Sequence, residues 1–266
     1  MLIVGAGCNR QEKTLFSLLP ADRTGIHFQN RVVDTDTLNI LDYLYYYNGG
    51  GVAIADFNRD GLSDVFFVSN QGANALYQNK GGMHFEDITA RAGVQGKGNW
   101  KTGVTVADVN GDGWPDIYVS EVGGYKGFQG RNELFINNGP GKDGVVSFTE
   151  RAKEYGLDVL GFNTQAVFFD YDHDGDLDVF IVNHSVHSTE SYADTSQRRV
   201  HSDMSGDKLF RNDSVDGGRH FVEVTQAAGI YSSVVGYGLN VVVGDLNSEF
   251  NPAELSHPSH VRRSLP

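Results

Sequence analysis

The chain has one cysteine, Cys8, in 266 residues. That excludes an internal disulfide framework, a thiolate zinc cluster and an internal redox pair. Basic residues are also scarce, since 21 Lys and Arg against 34 Asp and Glu leave a net charge of −13. A field of that sign repels nucleic acid and anionic lipid headgroups, so no nucleic-acid partner is expected. No apolar run is long enough to span a bilayer. Half of the six prolines fall in the last stretch, 248–266.

What the chain does have is 39% hydrophobic residues and 11% aromatics, enough for a real core. Its 33 glycines, 12 tyrosines and 16 phenylalanines run through the whole length, which favours short strands and tight turns over long helices. The composition is all-β.

Self-similarity organises the sequence. "GGGVAIADFNRDGLSDVFFVSN" (49–70) returns as "KTGVTVADVNGDGWPDIYVSE" (101–121) and "NTQAVFFDYDHDGDLDVFIVN" (163–183). A second piece follows each: "NALYQN" (74–79), "NELFIN" (132–137) and "DKLFRN" (207–212). A third follows that: "FEDITARAGV" (85–94), "FTERAKEYGL" (148–157) and "FVEVTQAAGI" (221–230). Each unit reads as about four strands bounded by Gly, Asn and Asp. Runs such as "VFFV" and "VFIV" lack polar alternation and are therefore covered on both faces. Repeated four-stranded units of this length indicate a β-propeller, here incomplete, with three blades and parts of others.

The acidic excess is concentrated in three loops of pattern D-x-[N/D]-x-D-G-x-x-D. They are Asp56, Asn58, Asp60, Gly61, Asp64; Asp108, Asn110, Asp112, Gly113, Asp116; and Asp170, Asp172, Asp174, Gly175, Asp178. Oxygens at positions 1, 3 and 5 face one concavity, glycine at 6 allows the sharp turn, and position 9 closes the shell. Position 7 supplies a backbone carbonyl, from Leu62, Trp114 and Asp176. Two like charges 4 Å apart repel by about 4 kcal/mol at an effective dielectric of about 20, so the clustering predicts a divalent cation in each loop. An irregular all-oxygen shell selects Ca²⁺, three ions in this chain, over magnesium, zinc or copper. An EF-hand is excluded, because its position 12 needs a glutamate and here holds Phe67, Val119 and Ile181.

The ends are unequal. "FSLLPADRTGIHF" (16–28) resembles only the third piece and is expected to form an isolated outer strand. "GLNVVVGDLN" (238–247) begins a fourth unit whose loop is lost after Asp245 and Asn247, and 248–266 reads as a non-native or disordered tail. The start "MLIVGAGCNRQEK" resembles the end of a bacterial lipoprotein signal, which makes Cys8 a lipidation site and 1–14 a shortened signal and linker.

Together, "TGIHFQN", "NGGGVAIADFNRDGLSD", "NALYQN" and "FEDITARAGV" resemble FG-GAP/VCBS repeats, the calcium-loop blades of integrin α-type propellers. Within that family the chain is similar to the bacterial, cartilage-acidic-protein-like ASPIC/UnbV group over residues 15–247. The resemblance implies an exported propeller, on the outer membrane or cell surface, that binds a protein or glycan ligand without catalysis of its own. The rival reading is a portion of a secreted polysaccharide-processing enzyme, which paired carboxylates facing one groove would favour.

Other candidates are bland by comparison. Tyr43, Tyr45, Tyr46 and Tyr47 read as blade-edge packing, with a sugar-stacking platform as the alternative. Trp100 and Trp114 fit either a groove or the core. His184, His187 and His201 lie in the long insert 183–203 and lack a third metal ligand in register. No nucleophile, base and orienting partner share a spacing that assigns a triad.

Overall fold

The computed structural model describes residues 15–186, 195–214 and 220–244. Cys8 with the rest of 1–14, His187, Asp245, Asn247 and the tail 248–266 lie outside the described residues.

Three antiparallel sheets of four strands succeed one another along the chain. The first holds β1 (Val52–Ala55), β2 (Asp64–Phe67), β3 (Ala75–Asn79) and β4 (Phe85–Asp87) in sequence order. The second begins with β5 (Lys101–Ala107) and β6 (Asp116–Glu121). A small hairpin of β7 (Gly123–Tyr125) and β8 (Phe128–Gln129) intervenes before β9 (Glu133–Pro140) and β10 (Val146–Glu150) complete it. The third comprises β11 (Asn163–Phe169), β12 (Asp178–Asn183), β13 (Lys208–Asn212) and β14 (Phe221–Glu223). Strands that adjoin in each sheet follow one another along the chain, except that the β7–β8 hairpin lies between β6 and β9, and the long insert separates β12 from β13.

Continuous apolar runs become central strands, and in the second and third sheets those strands are covered on both faces, whereas β2 of the first alternates buried and half-buried residues. Every residue of β6 and of β12 is buried. Phe57, Phe66, Leu76 and Ile88 of the first unit pack with Ile117, Val119, Phe135 and Phe148 of the second. Tyr118, Leu134 and Ile136 pack likewise with Val179, Ile181, Phe210 and Phe221 of the third. Burying such side chains contributes about 1.5–3 kcal/mol each, so the layers between sheets are the main cohesive element.

The first strands of successive sheets lie side by side. Thr102 Oγ1 on β5 donates to its own sheet at Ser120 O (3.0 Å) and across to Asn163 O on β11 (2.8 Å). Thr164 Oγ1 repeats the arrangement toward Val182 O (3.0 Å) and Gly238 O (2.9 Å). Beyond β11, Val241 packs on Phe169, Phe180, Val182 and Leu209. This close approach needs glycine. A Cβ on Gly51 would stand 2.8 Å from both Val104 N and Val104 Cγ1.

One expectation is overturned. Residues 16–28 form no strand; they hold a helical turn, α1 (Ala21–Thr24), ended by Gly25 at φ 78°. The same device follows β4 as α2 (Thr89–Ala92) with Gly93 at φ 76°, and follows β10 as α3 (Ala152–Tyr155) with Gly156 at φ 76°. The third repeated piece is thus a strand followed by a capped turn, and the early segment copies the turn alone. It covers the first sheet without joining it, with Phe28 stacked on Phe67 at 4.8 Å.

Gly51→Ala is expected to lower stability by about 1–3 kcal/mol, since a backbone nitrogen at contact distance cannot yield. Gly127→Ala, where an added Cβ meets nothing within 4 Å, should leave the denaturation midpoint nearly unchanged. Urea unfolding of the two variants tests the pair.

Candidate metal centre

Each acidic loop connects the first two strands of its sheet, and the structure divides its residues into two jobs. The aspartate at position 9 is buried: Asp64 and Asp116 are each 1% exposed and Asp178 0%. Both its oxygens accept backbone N–H groups. Asp64 takes Phe57 N (3.1 Å) and Asn79 N (2.8 Å). Asp116 takes Val109 N (2.9 Å) and Asn137 N (2.8 Å), and Asp178 takes Tyr171 N (2.7 Å) and Asn212 N (2.8 Å). One carboxylate thus ties the loop's start to the third strand. The asparagine whose N–H it takes, at the end of β3 and β13 and within β9, returns the favour. Asn79 Nδ2 donates to Ser63 O, Asn137 Nδ2 to Pro115 O and to Phe57 O of the preceding unit, and Asn212 Nδ2 to Leu177 O.

Burial raises these carboxyls despite the two N–H bonds that oppose it, with neighbouring aspartates of the same loop adding to the rise. Asp64 is pushed up to about 6 and Asp116 to about 7. Asp178 is also raised, by burial first and by Asp172 and Asp174.

Positions 1, 3 and 5 line the concavity. Asp56 accepts from Asp60 N (3.1 Å) and Gly61 N (2.8 Å); Asp108 accepts from Asp112 N (3.0 Å) and Gly113 N (2.7 Å). Asp170 accepts from His173 N (2.6 Å) and Gly175 N (3.1 Å). Gly61, Gly113 and Gly175 adopt φ of 87°, 88° and 94°, the left-handed turn expected at position 6. Position 4 is left-handed as well, in Arg59 (56°), Gly111 (68°) and His173 (67°), a requirement the pattern of aspartates does not reveal.

The loops differ at position 3. Asn58 Nδ2 donates to Asp60 Oδ2 (2.8 Å), and Asn110 Nδ2 to Asp112 Oδ2 (2.7 Å). In the third loop all three are acids, and carboxylate oxygens of Asp170, Asp172 and Asp174 lie within 4.8 Å of one another. Asp176 Oδ1 in that loop is buried without a hydrogen-bond partner, and burial together with Asp174 pushes its carboxyl up to about 6. An all-oxygen donor set with an unsatisfied buried oxygen fits a hard divalent cation. Leu62 is exposed, whereas Trp114 is half-buried with the Arg59 guanidinium 5.3 Å from its ring centre, which couples the first two loops.

The other candidates are not gathered into a site. Tyr43, Tyr46 and Trp100 are buried together with Phe128. Tyr47 is exposed and its hydroxyl bonds Asp34. His184 is buried, with Nε2 2.7 Å from Tyr43 Oη, while His201 sits apart between Asp203 and Ser232 O.

A second charged group was not anticipated: Lys101, Glu121 and Glu133, respectively 1%, 0% and 6% exposed. Segment 95–99 covers them. Lys97 N donates to Glu133 Oε1 (2.9 Å), Lys101 Nζ to Gly98 O (2.6 Å), and a Cβ on Gly98 would overlap Glu121 Oε2. Burial, then the charge of Glu133, push Glu121 up to about 9. Neither Glu121 carboxyl oxygen has a hydrogen-bond partner among the described residues, so little offsets the burial that favours its protonated form. Lone charged residues on strands carried no signal for this.

Residues 56–119, which contain the first two loops, match the FG-GAP-like repeat family. The chain therefore carries an FG-GAP-like repeat. It is similar to cartilage acidic protein 1: 29% identical to the Xenopus tropicalis protein over 63% of this chain and 25% of that one. The mouse protein is 30% identical and the human 29%, each over 55% of this chain and 21% of its own length. The matched part thus spans a quarter or less of these relatives.

Glu121 holds its proton in the folded chain and loses it in the unfolded one above the ordinary value of 4.5. Its contribution is therefore fully favourable below about 4.5 and is lost as pH rises toward about 9. Glu121→Gln should flatten the fall of unfolding free energy across that window, gaining on the parent chain at pH 8 relative to pH 5. Parallel slopes for the two chains in urea titrations would contradict it.

Proposed function

We propose that this chain is part of an extracellular β-propeller whose blades are pinned by calcium and which serves as a binding scaffold without catalysis of its own. The observation that carries the reading is the threefold recurrence of one loop, with the same buried aspartate and the same left-handed turns in each copy. Asp56, Asn58, Asp60 and Asp64 would hold one ion, with the carbonyl of Leu62. Asp108, Asn110, Asp112, Asp116 and the Trp114 carbonyl would hold a second. Asp170, Asp172, Asp174, Asp178 and the Asp176 carbonyl would hold a third. Such an ion supplies positive charge that offsets carboxylate repulsion and fixes the first hairpin of each blade.

The side-by-side first strands and the apolar layers between sheets support a radial stack. Val52 and Ile54, on the face of β1 turned away from the second sheet, are 59% and 68% exposed, as expected where a further blade would pack. An exported location, with Cys8 as a lipid anchor, agrees with calcium loops that work at the millimolar levels found outside cells. The non-catalytic reading is supported by Glu121 and Glu133, a carboxyl pair sealed beneath 95–99 rather than facing a groove.

Scanning calorimetry in chelator and in millimolar Ca²⁺ tests the proposal. Calcium at ten to a hundred times its dissociation constant should add about 1.4–2.7 kcal/mol per site, raising the melting temperature. Asp172→Ala should remove part of that rise, and magnesium should reproduce little of it. A melting temperature indifferent to calcium would refute the metal reading.

A further inference from the structure

A cavity of about 340 Å³ opens beside the third sheet, away from the acidic loops. One wall runs from Arg198, at the end of a 3-10 turn (Thr195–Arg199), to Asp207; the other is the segment from Tyr231 to Gly238. Hydrogen bonds brace the walls. Val234 N donates to Val200 O (2.9 Å), His201 Nδ1 lies 3.0 Å from Ser232 O, and Ser185 exchanges bonds with Gly236 through its backbone N–H (3.0 Å) and its hydroxyl (2.8 Å). Asp207 is fixed from behind, because its Oδ1 accepts Asn183 N (2.9 Å). The floor is backbone: no Cβ fits on Gly206, where it would overlap Ser232 Oγ.

The lining has a definite chemistry. Tyr231 and Tyr237 line it and are 51% and 49% exposed, so two aromatic side chains are partly open to solvent there. Arg198 brings donors only, and the Asp207 carboxyl brings acceptor oxygens. Aromatic faces beside one rigid donor fork and one carboxylate match a ligand with apolar C–H faces and a rim of hydroxyls, each of which both donates and accepts. The volume is at the small end of ligand sites, suited to about one or two sugar rings. A chain of net charge −13 disfavours an anionic ligand. Peptide addition is disfavoured too, since the floor is made of turns and not of a free strand edge.

We propose that this cavity binds an uncharged saccharide, with a ring against Tyr231 and Tyr237 and its hydroxyls shared between Arg198 and Asp207. The inference deepens the binding role proposed above and rests on it, but it does not depend on calcium occupancy. The test is the full chain, in millimolar Ca²⁺, on an array of neutral and carboxylate-bearing glycans, followed by calorimetric titration with the strongest neutral oligosaccharide. Neutral glycans should bind, and Tyr231→Ala and Arg198→Ala should each weaken binding about tenfold while melting temperature holds. Tyr231→Phe should retain most of the affinity. Binding by acidic glycans alone, by no glycan, or undiminished in both alanine variants would overturn the proposal. The calcium-dependent melting shift, read on the same samples, separates the outcomes: a shift without sugar binding removes the saccharide site alone, and sugar binding without a shift removes the calcium reading alone.

Discussion

Asp64, Asp116 and Asp178 each hold two backbone N–H groups. One belongs to the residue after the loop's first aspartate, the other to an asparagine of the third strand. The bonds fix where the loop starts relative to the strand two places away in the sheet. Because buried backbone donors left unpaired cost about 1–3 kcal/mol each, no apolar residue can stand at this position. The asparagine amide completes the lock by donating to the carbonyl of the residue just before β2, β6 or β12.

That lock explains why the sheets are alike and why they stack. With the hairpin fixed, the residue after the first aspartate is directed inward. Phe57 and Val109 are 0% and 4% exposed and join the apolar layers between sheets. Asn137 carries the lock across a boundary, reaching Phe57 O of the preceding unit. The loops are therefore part of the inter-sheet contact, and charge placed there acts on packing as well as on ions.

Much of this was legible in the sequence, for a physical reason. Turn glycine at position 6, acids at alternating positions and apolar runs without polar alternation are local signals, and the three four-stranded sheets follow from them. Two features were not legible. The segment 16–28 shares residues with the third repeated piece, but the piece itself joins a strand to a capped turn, and only the turn needs Gly25. The Lys101, Glu121 and Glu133 group is assembled only by the pairing register of three strands, and each residue read alone looks like an ordinary charge at a strand end. The asparagines ending "NALYQN", "NELFIN" and "DKLFRN" were visible, but their carbonyl partners exist only once the sheet is formed.

The buried aspartate and the rim oxygens make opposite demands. The lock is strongest when the position-9 carboxylate is ionised, yet burial and neighbouring aspartates of the same loop favour its protonation. Removing the rim acids would relieve that conflict at no cost to the backbone lock, and a loop serving only as a turn would need no more than Gly61 and a single aspartate. Three loops that retain the rim acids are better explained by a ligand that turns the repulsion into attraction. A hard divalent cation would do so, holding the buried carboxylate in its charged form and strengthening both of its N–H bonds. An ion proposed for these loops would therefore act on the sheet through the lock, and not on the loop alone.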